Sequence, residues 1–328
     1  MVWAQPVNLS DVVLDEWLET LRGPQWTALR DIAARSCPEF GCYWELHPSG
    51  ERVDLCHVAT IAEPRERKRL LRWLEAHAAD HGPRGFAARA LRPWVEAPEG
   101  VNMIGWEEDA GEREGVGTFA NIDHRERTAD TIARAHKAFD LPKAIVARSN
   151  LLFESIEHAV RIVAVGRFFG REAPPELRLI LRSTREDWLE HLPESIQQEV
   201  KELCAALPAG THTNLALSVQ ADDIYLALES RFSEERVSNA AWAPWLERML
   251  PSPSPLHNQL IEALIAQTGP FLPKRWPAKV LIDAFLQAEA HVPVLEAYFS
   301  HVKVRRRRDG TLERKLYLLF EQRWRQLG

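Results

Sequence analysis

The sequence predicts an α+β fold in which ten antiparallel strands, arranged as five αββα units, close into one barrel ringed by helices. Three observations predict it. Pairs of strand-like stretches recur about five times, and a helical stretch follows each pair. Turn signals such as Asp309-Gly310 join paired stretches. Closing the sheet removes the two edges that ten strands would otherwise expose. Because no linker or change in composition divides residues 1–328, the chain is predicted to be a single domain.

Alternation of apolar and polar residues sets the bounds of the predicted strands and helices. The five hairpins are Cys42–His47 with Arg52–Thr60, Val101–Glu107 with Val116–Ile122, Val160–Phe168 with Leu177–Ser183, Asn214–Gln220 with Ile224–Arg231, and Tyr298–Arg306 with Leu312–Glu321. The predicted helices are Leu9–Ser36, Pro64–Ala79, Arg125–Phe139, Ala144–Glu157, Glu186–Leu207, Glu234–Leu250, Pro255–Thr268 and Ala278–Gln287.

Composition argues against several classes of protein. The net charge of −6 argues against general nucleic-acid binding, and the one basic run, Arg305–Arg308, lies beside a turn. Four cysteines without a CxxC pair are too few for a disulfide scaffold and match no common zinc pattern, so no metal ligand is predicted. No apolar run approaches the ~20 residues of a membrane span. We therefore expect a cytoplasmic monomer with no nucleic-acid or membrane partner.

The two faces of the predicted strands differ in chemistry. One face is apolar and is expected to pack against the helices. The opposite face carries the following polar residues: Arg161, Arg178, Arg182, Asn214, Ser218, Gln220, Tyr225, Glu229, His301, Lys303, Arg305, Lys315 and Tyr317. In an open sheet this face would contact solvent. In a closed barrel it would line a lumen, and the sequence leaves both arrangements open.

A lumen with arginines, lysines and tyrosines would suit a polyanion carried on an apolar group. Arginine and lysine neutralise a leaving diphosphate, and aromatic faces stabilise a developing allyl cation. Such chemistry also needs a carboxylate near the nucleophile. Glu45 is the candidate, because it lies on the polar side of the first strand if Trp44 and Leu46 face the helices.

Tyr43-Trp-Glu45-Leu, Lys303 and Lys315-Leu-Tyr317, within five αββα units, resemble the ABBA-type aromatic prenyltransferases. In length the chain is similar to the bacterial and ribosomal-peptide (cyanobactin-type) members. The resemblance implies that Glu45 helps to deprotonate the acceptor. It also implies that strand lysines and tyrosines hold diphosphate. The chain departs from the family in lacking a Lys-x-Tyr pair in the second hairpin, and no DDxxD motif is present.

The sequence thus predicts an enzyme that moves a dimethylallyl or geranyl group from an allylic diphosphate to an electron-rich side chain of a peptide or to a small aromatic acceptor. The predicted catalytic residue is Glu45, and Mg²⁺ is an optional cofactor without a named ligand. The predicted diphosphate-binding residues are Arg161, Arg178, Lys303, Lys315, Tyr225 and Tyr317, and the predicted substrate-binding residues are His301 and Glu229. The alternatives are a non-catalytic barrel or α+β protein that binds an anionic ligand or a protein partner, and a nucleic-acid-modifying protein that uses Arg305–Arg308.

Overall fold

The structure is a computed structural model, and its fold follows from the alternating pattern of the strands. It describes residues 41–47, 53–62, 64–108, 115–123, 125–170, 174–183, 188–205, 207, 211–232, 238–250, 253–267, 269, 271, 291–307 and 310–326. The predicted helices Leu9–Ser36 and Ala278–Gln287 lie outside the described residues.

Ten strands pair with their neighbours in sequence, and β1 pairs with β10, so the sheet closes in the order β1-β10-β9-β8-β7-β6-β5-β4-β3-β2. The predicted closed antiparallel barrel is therefore confirmed, and the open sheet is wrong. The strands are β1 (Gly41–Leu46), β2 (Val53–Thr60), β3 (Val101–Glu108), β4 (Val116–Ile122), β5 (Val160–Phe169), β6 (Leu177–Ser183), β7 (Thr211–Val219), β8 (Ile224–Phe232), β9 (His291–Arg306) and β10 (Leu312–Gln326).

Seven α-helices lie in the described part of the chain. They are α1 (Pro64–Ala78), α2 (Pro83–Glu96), α3 (Thr128–Ala138), α4 (Lys143–Ile156), α5 (Glu194–Ala205), α6 (Ala243–Met249) and α7 (Pro255–Ala266). The sequence did not predict α2, whose pattern is interrupted by Pro93. This proline lies in the last turn, and the side chain of Arg67 donates to the nearby carbonyl oxygens of Val95 and Glu96 at 2.9 and 3.0 Å. Capping from α1 thus stabilises a helix end that proline weakens.

Two predicted helices are shorter than expected. The stretch predicted as Glu186–Leu207 forms a 3₁₀ turn, Trp188–His191, and then α5, because Pro193 stands between them and cannot continue a helix. In the stretch predicted as Glu234–Leu250, a 3₁₀ turn, Asn239–Trp242, precedes α6. The last hairpin is longer than predicted, since β9 begins at His291 and β10 ends at Gln326.

The chain divides into two compact units. Unit 1 comprises residues 1–57, 234–300 and 316–328, and unit 2 comprises residues 58–233 and 301–315. In unit 2, α2 packs on β3, β4 and β5, α3 packs on β5, α4 packs on β7, and α5 packs on β8. In unit 1, the side-chain amide of Asn239 donates to Ala297 O at 2.9 Å and accepts from Phe299 N at 3.2 Å, so it pairs with the backbone of β9. That the chain is one domain stays a prediction.

The strand face that the helices cover is buried, as the alternation predicts. In unit 2 it includes Leu215, Leu217, Val219, Leu226 and Leu228, each at most 5% exposed. The opposite face, called the inner face below, carries polar side chains that are half-buried. Half-buried charges indicate an enclosed surface, because a solvent-facing strand would leave arginine and lysine mostly exposed.

Candidate functional site

One row of cross-strand neighbours runs over five consecutive strands of unit 2. The row, called the charged row, consists of Arg161, Arg182, Asn214, Glu229 and Lys303, in which each residue is the register partner of the next. The hydrogen bond from Arg307 N to Thr311 O sets the register of the last hairpin, and counting back from it places Lys315 opposite Lys303. The strands therefore bring three cations, with a fourth beside them, to one level of the inner face.

The charged groups of this row lie close enough to shift the pKa values of Arg182 and Glu229. Burial and the like charges of Arg231 and Arg161 lower the pKa of Arg182. Burial alone would raise the pKa of Glu229, but Lys303, His301 and Arg178 offset this, so the pKa is lowered and the carboxylate is ionised. Lys303 Nζ lies 2.9 Å from Glu229 Oε1, and both side chains are at most 15% exposed. Two arginines face each other directly, an arrangement that repels in the absence of an anion.

A second row of the same face is mostly aromatic and small. This row, called the aromatic row, consists of Gly105, Phe119, Gly166, Arg178, Ser218 and Tyr225 on β3 to β8. On β6, β7 and β8 it is four residues from the charged row, about 13 Å along a strand. The positions between the rows are held by Ala164, Ile180, Ala216 and Ala227. Small side chains at three of these four positions leave space between the rows.

Glycines in β3 and β4 let phenylalanine rings lie against the sheet. A Cβ on Gly105 would overlap the ring of Phe119, and a Cβ on Gly117 would overlap the ring of Phe168. The guanidinium of Arg178 also lies over the ring of Phe168, 4.2 Å from the ring centroid, in a cation–π contact. The rings thus form an apolar surface that ends at a cation.

Arg178 is also tied to a carboxylate. Its Nε lies 3.5 Å from Glu176 Oε1, and the hydroxyl of Ser218 donates to the other oxygen of Glu176. The field of Arg178 reaches Glu229 as well, since it contributes to the lowered pKa of that group. Arg178 therefore links the two rows electrostatically.

In unit 1, Glu45 lies on the inner face of β1. Its neighbours Trp44 and Leu46 are fully buried on the other face, where Trp44 packs on Phe320 at 4.7 Å between ring centroids. Tyr317 of β10 is the register partner of Glu45. Glu45 therefore lies on the polar side of β1, as predicted, and two predicted site residues with different proposed roles, Glu45 and Tyr317, are cross-strand neighbours.

Glu45 belongs to a cluster that the sequence did not predict. His47 Nε2 lies 3.2 Å from Glu45 Oε1 and 2.8 Å from Asp54 Oδ2. The three groups form a set of ligand atoms within 4.8 Å of one another that could hold a metal ion. The set fits Mg²⁺ poorly, because Mg²⁺ prefers oxygen ligands and keeps several waters, whereas one atom here is an imidazole nitrogen and both carboxylates are at most 2% exposed.

The described arginines of the basic run at the last hairpin form ion pairs with carboxylates. Arg305 and Arg307 both bind Glu313, with Arg307 Nη2 at 3.0 Å from Glu313 Oε1, and Arg306 binds Glu202 of α5. These pairings, and the field of Lys315, lower the pKa of Glu313 to about 2 although its burial acts in the opposite direction. The three described arginines of the run are thus engaged within unit 2.

Comparison with solved structures finds the same architecture in proteins of very different sequence. The 5-dimethylallyltryptophan synthase from Streptomyces coelicolor aligns with a TM-score of 0.52 and 10% identity, over 95% of this chain and 97% of that chain. PriB, in a binary complex with product diphosphate, aligns with a TM-score of 0.52 and 12% identity, over 95% and 96%. The chain has the fold of the aromatic prenyltransferases.

AnaPT from Neosartorya fischeri is also similar, with a TM-score of 0.47 and 9% identity over 93% of this chain and 91% of that chain. Sequence comparison gives nothing further: no known protein family and no curated protein matches. No described helix is long and apolar enough to cross a bilayer.

Within this prenyltransferase fold, the predicted site residues lie in both units. Unit 2 holds Arg161, Arg178, Tyr225, Glu229, His301, Lys303 and Lys315, and unit 1 holds Glu45 and Tyr317. Those of unit 2 do not form one shell, because Arg178 and Tyr225 lie in the aromatic row and Arg161, Glu229 and Lys303 in the charged row. Sequence reasoning missed His47 and Asp54. The two-residue spacing of Glu45 and His47 was the available signal, since it puts both on one strand face.

Proposed function

We propose that this protein transfers a prenyl group from an allylic diphosphate, such as dimethylallyl or geranyl diphosphate, to an electron-rich group of a peptide or of a small aromatic molecule. The charged row carries the proposal. Two arginines that face each other on an enclosed surface favour an anion between or beside them, because its charge relieves their repulsion and guanidinium binds phosphate oxygens in pairs. The fold supports it, since structural neighbours include a 5-dimethylallyltryptophan synthase and a complex with product diphosphate.

In this proposal the cations of unit 2 hold the donor. Arg161, Lys303 and Lys315, with Arg182, neutralise the negative charge that grows on the diphosphate as the carbon–oxygen bond breaks. Arg178 would bind the donor at the other end of the same surface. Tyr225 and Tyr317 would donate hydroxyl hydrogens to phosphate oxygens and shield the allyl cation with their rings.

The prenyl chain would lie on the phenylalanine rings of unit 2. The rings of Phe119 and Phe168 lie over Gly105 and Gly117, and the guanidinium of Arg178 lies over one of these rings, Phe168. A hydrocarbon chain gains about 25 cal/mol for each Å² that it removes from water there. Ring faces also stabilise the positive charge left on the chain when diphosphate departs.

Glu45 would act on the acceptor. Its carboxylate can hydrogen-bond the acceptor and take the proton that the ring loses after the new bond forms. His301 and Glu229 would contact substrate as well, although Glu229 is bonded to Lys303 in this structure. Mg²⁺, a peptide acceptor, a monomeric state and a cytoplasmic location stay predictions, and no step of this mechanism uses a metal.

The test is incubation with dimethylallyl and geranyl diphosphates and a panel of peptides and aromatic amino acids, followed by mass spectrometry and measurement of released diphosphate. Lys315→Ala combined with Tyr317→Ala is expected to reduce transfer about 100-fold. Glu45→Ala is expected to reduce formation of the prenylated acceptor about 100-fold, as loss of a general base does. Arg306→Met is the matched control, because Arg306 binds a helix carboxylate on the other face of β9. Full activity in either test variant would contradict these assignments.

A non-catalytic barrel that binds an anionic ligand is the second candidate. It is favoured by the ion pairs that already engage Lys303 and Arg178. This alternative predicts uptake of an allylic diphosphate, measured by calorimetry, without release of diphosphate over hours. Release that depends on an acceptor would exclude it.

A further inference from the structure

The β1–β2 hairpin builds a three-residue chain of contacts around Glu45. His47 Nε2 lies 3.2 Å from Glu45 Oε1 and 2.8 Å from Asp54 Oδ2. Glu45 is 2% exposed and Asp54 is fully buried, whereas His47 is 12% exposed. Two acidic side chains in an enclosed place thus meet at one imidazole nitrogen, and that imidazole is the most exposed member.

The hairpin positions these groups by its geometry. Glu45 and His47 are two residues apart, so both side chains point to the inner face, away from the buried Trp44 and Leu46. Asp54 reaches them from β2, which follows after a short connection. Because all three belong to unit 1 and to one hairpin, their arrangement is set locally.

The chemistry of imidazole limits what this contact can do. A ring nitrogen carries at most one hydrogen, so Nε2 donates that hydrogen either to Asp54 or to Glu45, or shares it between them. The 2.8 Å distance to Asp54 is that of a charge-assisted hydrogen bond. A carboxylate that holds an imidazole in this way fixes the ring's orientation and its tautomer, and thereby fixes what the ring offers to a third group.

We propose that His47, oriented by Asp54, is a positioning residue that holds the Glu45 carboxylate toward the acceptor. This inference rests on the proposed role of Glu45. In the reaction, the carbon–oxygen bond of the donor breaks and diphosphate leaves with its electron pair. The acceptor ring forms a bond to the allyl carbon, and its ring proton moves to Glu45, which returns it to solvent before the next turnover.

Loss of His47 is therefore expected to affect the two steps of the reaction, ionisation of the donor and capture by the acceptor, to different extents. Ionisation of the donor depends on the cations and not on Glu45, so diphosphate is still released. Capture by the acceptor depends on Glu45, so water competes more often for the allyl cation. The ratio of prenyl alcohol to prenylated acceptor therefore reports on the position of Glu45.

The experiment compares the wild-type protein with His47→Leu, His47→Gln and Asp54→Asn. For His47→Leu we expect prenylated acceptor to fall about 30-fold while diphosphate release changes about twofold. Glutamine keeps an N–H donor near the place of Nε2, so His47→Gln should recover at least about tenfold over His47→Leu. Asp54→Asn keeps size but loses the charge that orients the ring, and it should give an intermediate loss. Thermal unfolding by circular dichroism shows which variants are folded.

A second measurement does not depend on activity. Long-range proton–nitrogen NMR of the wild-type protein should show a hydrogen on His47 Nε2, and its signal should move or vanish in Asp54→Asn. If this is observed while no diphosphate is released from any donor, the contact stands and the proposed function fails.

Three results would overturn the inference. One is a His47→Leu variant that prenylates the acceptor at the wild-type rate. Another is a His47→Gln variant as impaired as His47→Leu, which would mean that the ring acts by packing. The third is stoichiometric Mn²⁺ or Zn²⁺ in the wild-type protein that is lost in Asp54→Asn, which would make the cluster a metal centre.

Discussion

The charged row and the aromatic row lie on the same sheet face and share β5 to β8, yet they are built from different residue types. The charged row places Arg161 opposite Arg182 and Glu229 opposite Lys303. The aromatic row combines rings with glycines and a single cation, Arg178. About 13 Å of mostly alanine separates them along β6 to β8. The face therefore has two ends of opposite chemistry.

Because its two rows differ in chemistry, one sheet face can bind both parts of an amphipathic ligand. A diphosphate needs several directed donors, and the charged row supplies them from strands that fix their spacing. A prenyl chain needs area and shape only, which rings on glycine supply. An allylic diphosphate has both parts, and the small side chains between the rows leave space where they would join.

The largest effect is expected from Lys303→Met in the charged row. It leaves Glu229 buried and without its 2.9 Å ion pair, a change that typically costs about 3–5 kcal/mol. We expect the free energy of unfolding at neutral pH to fall by about 3 kcal/mol in urea titrations. Because burial alone raises the pKa of Glu229, the variant should regain stability as pH falls and the carboxyl becomes neutral.

The control is Lys303→Met with Glu229→Gln, which removes the unpaired charge and should recover most of the loss. If Lys303→Met were as stable as the wild-type protein, the charged row would be solvated and its ion pair would not be enclosed.

The second effect concerns Arg178, which links the rows. Arg178→Met keeps contact with the ring of Phe168 but removes the charge, so the affinity for inorganic diphosphate should fall about tenfold in calorimetry. Arg306→Met, on the helix side of β9, should leave it unchanged. Equal affinities in both variants would confine anion binding to the charged row.

The third effect tests the aromatic row by its glycines. A Cβ on Gly166 would overlap the backbone carbonyl oxygen of Thr118, which cannot move without breaking the sheet. Gly166→Ala should therefore lower the free energy of unfolding by about 2 kcal/mol. Gly105→Ala should cost less, since it meets only the ring of Phe119 and that ring can turn away. Gly269→Ala is the control, because no atom of the described residues lies within 4 Å of a Cβ placed there.

If Gly166→Ala and Gly269→Ala were equally stable, the close approach of Gly166 to the Thr118 carbonyl oxygen would be contradicted. Chemical denaturation of the three variants, measured together, decides the order.

The sequence predicted the charged row better than the aromatic row, and the reason is physical. Charged residues an even number of positions apart on one strand, such as Arg178 and Arg182, show which face they occupy whatever their surroundings. Glycine gives no such signal, and Gly105 becomes meaningful only when Phe119 on the next strand is seen to cover it. Register between strands decides that contact, and alternation within one strand does not contain it.

The same limit applies to Glu45 and to α2. Glu45 was found because Trp44 and Leu46 define its face, but Asp54 joins it only through the pairing of β1 with β2. Helix α2 was missed because Pro93 breaks its pattern, and the arginine that stabilises its end comes from another helix. The face that a residue occupies was predictable from its own element, whereas side-chain contacts between two elements were not.

The smallest effect is expected at the end of the last hairpin, where Glu313 binds Arg305 and Arg307. This ion pair lies in unit 2 but has no part in the proposed reaction. The pKa of Glu313 is lowered from 4.5 to about 2, so its stabilisation is present above pH 4.5 and is lost as pH falls toward about 2. Because both arginines are nearly half exposed, solvent weakens the interaction to about 1 kcal/mol. Glu313→Gln should therefore unfold at lower urea concentration at pH 7, match the wild-type protein near pH 2, and keep full turnover. A difference in stability that does not change with pH would show that the side chain acts by packing and not by charge. A loss of turnover would extend the functional surface from the charged row to the hairpin end.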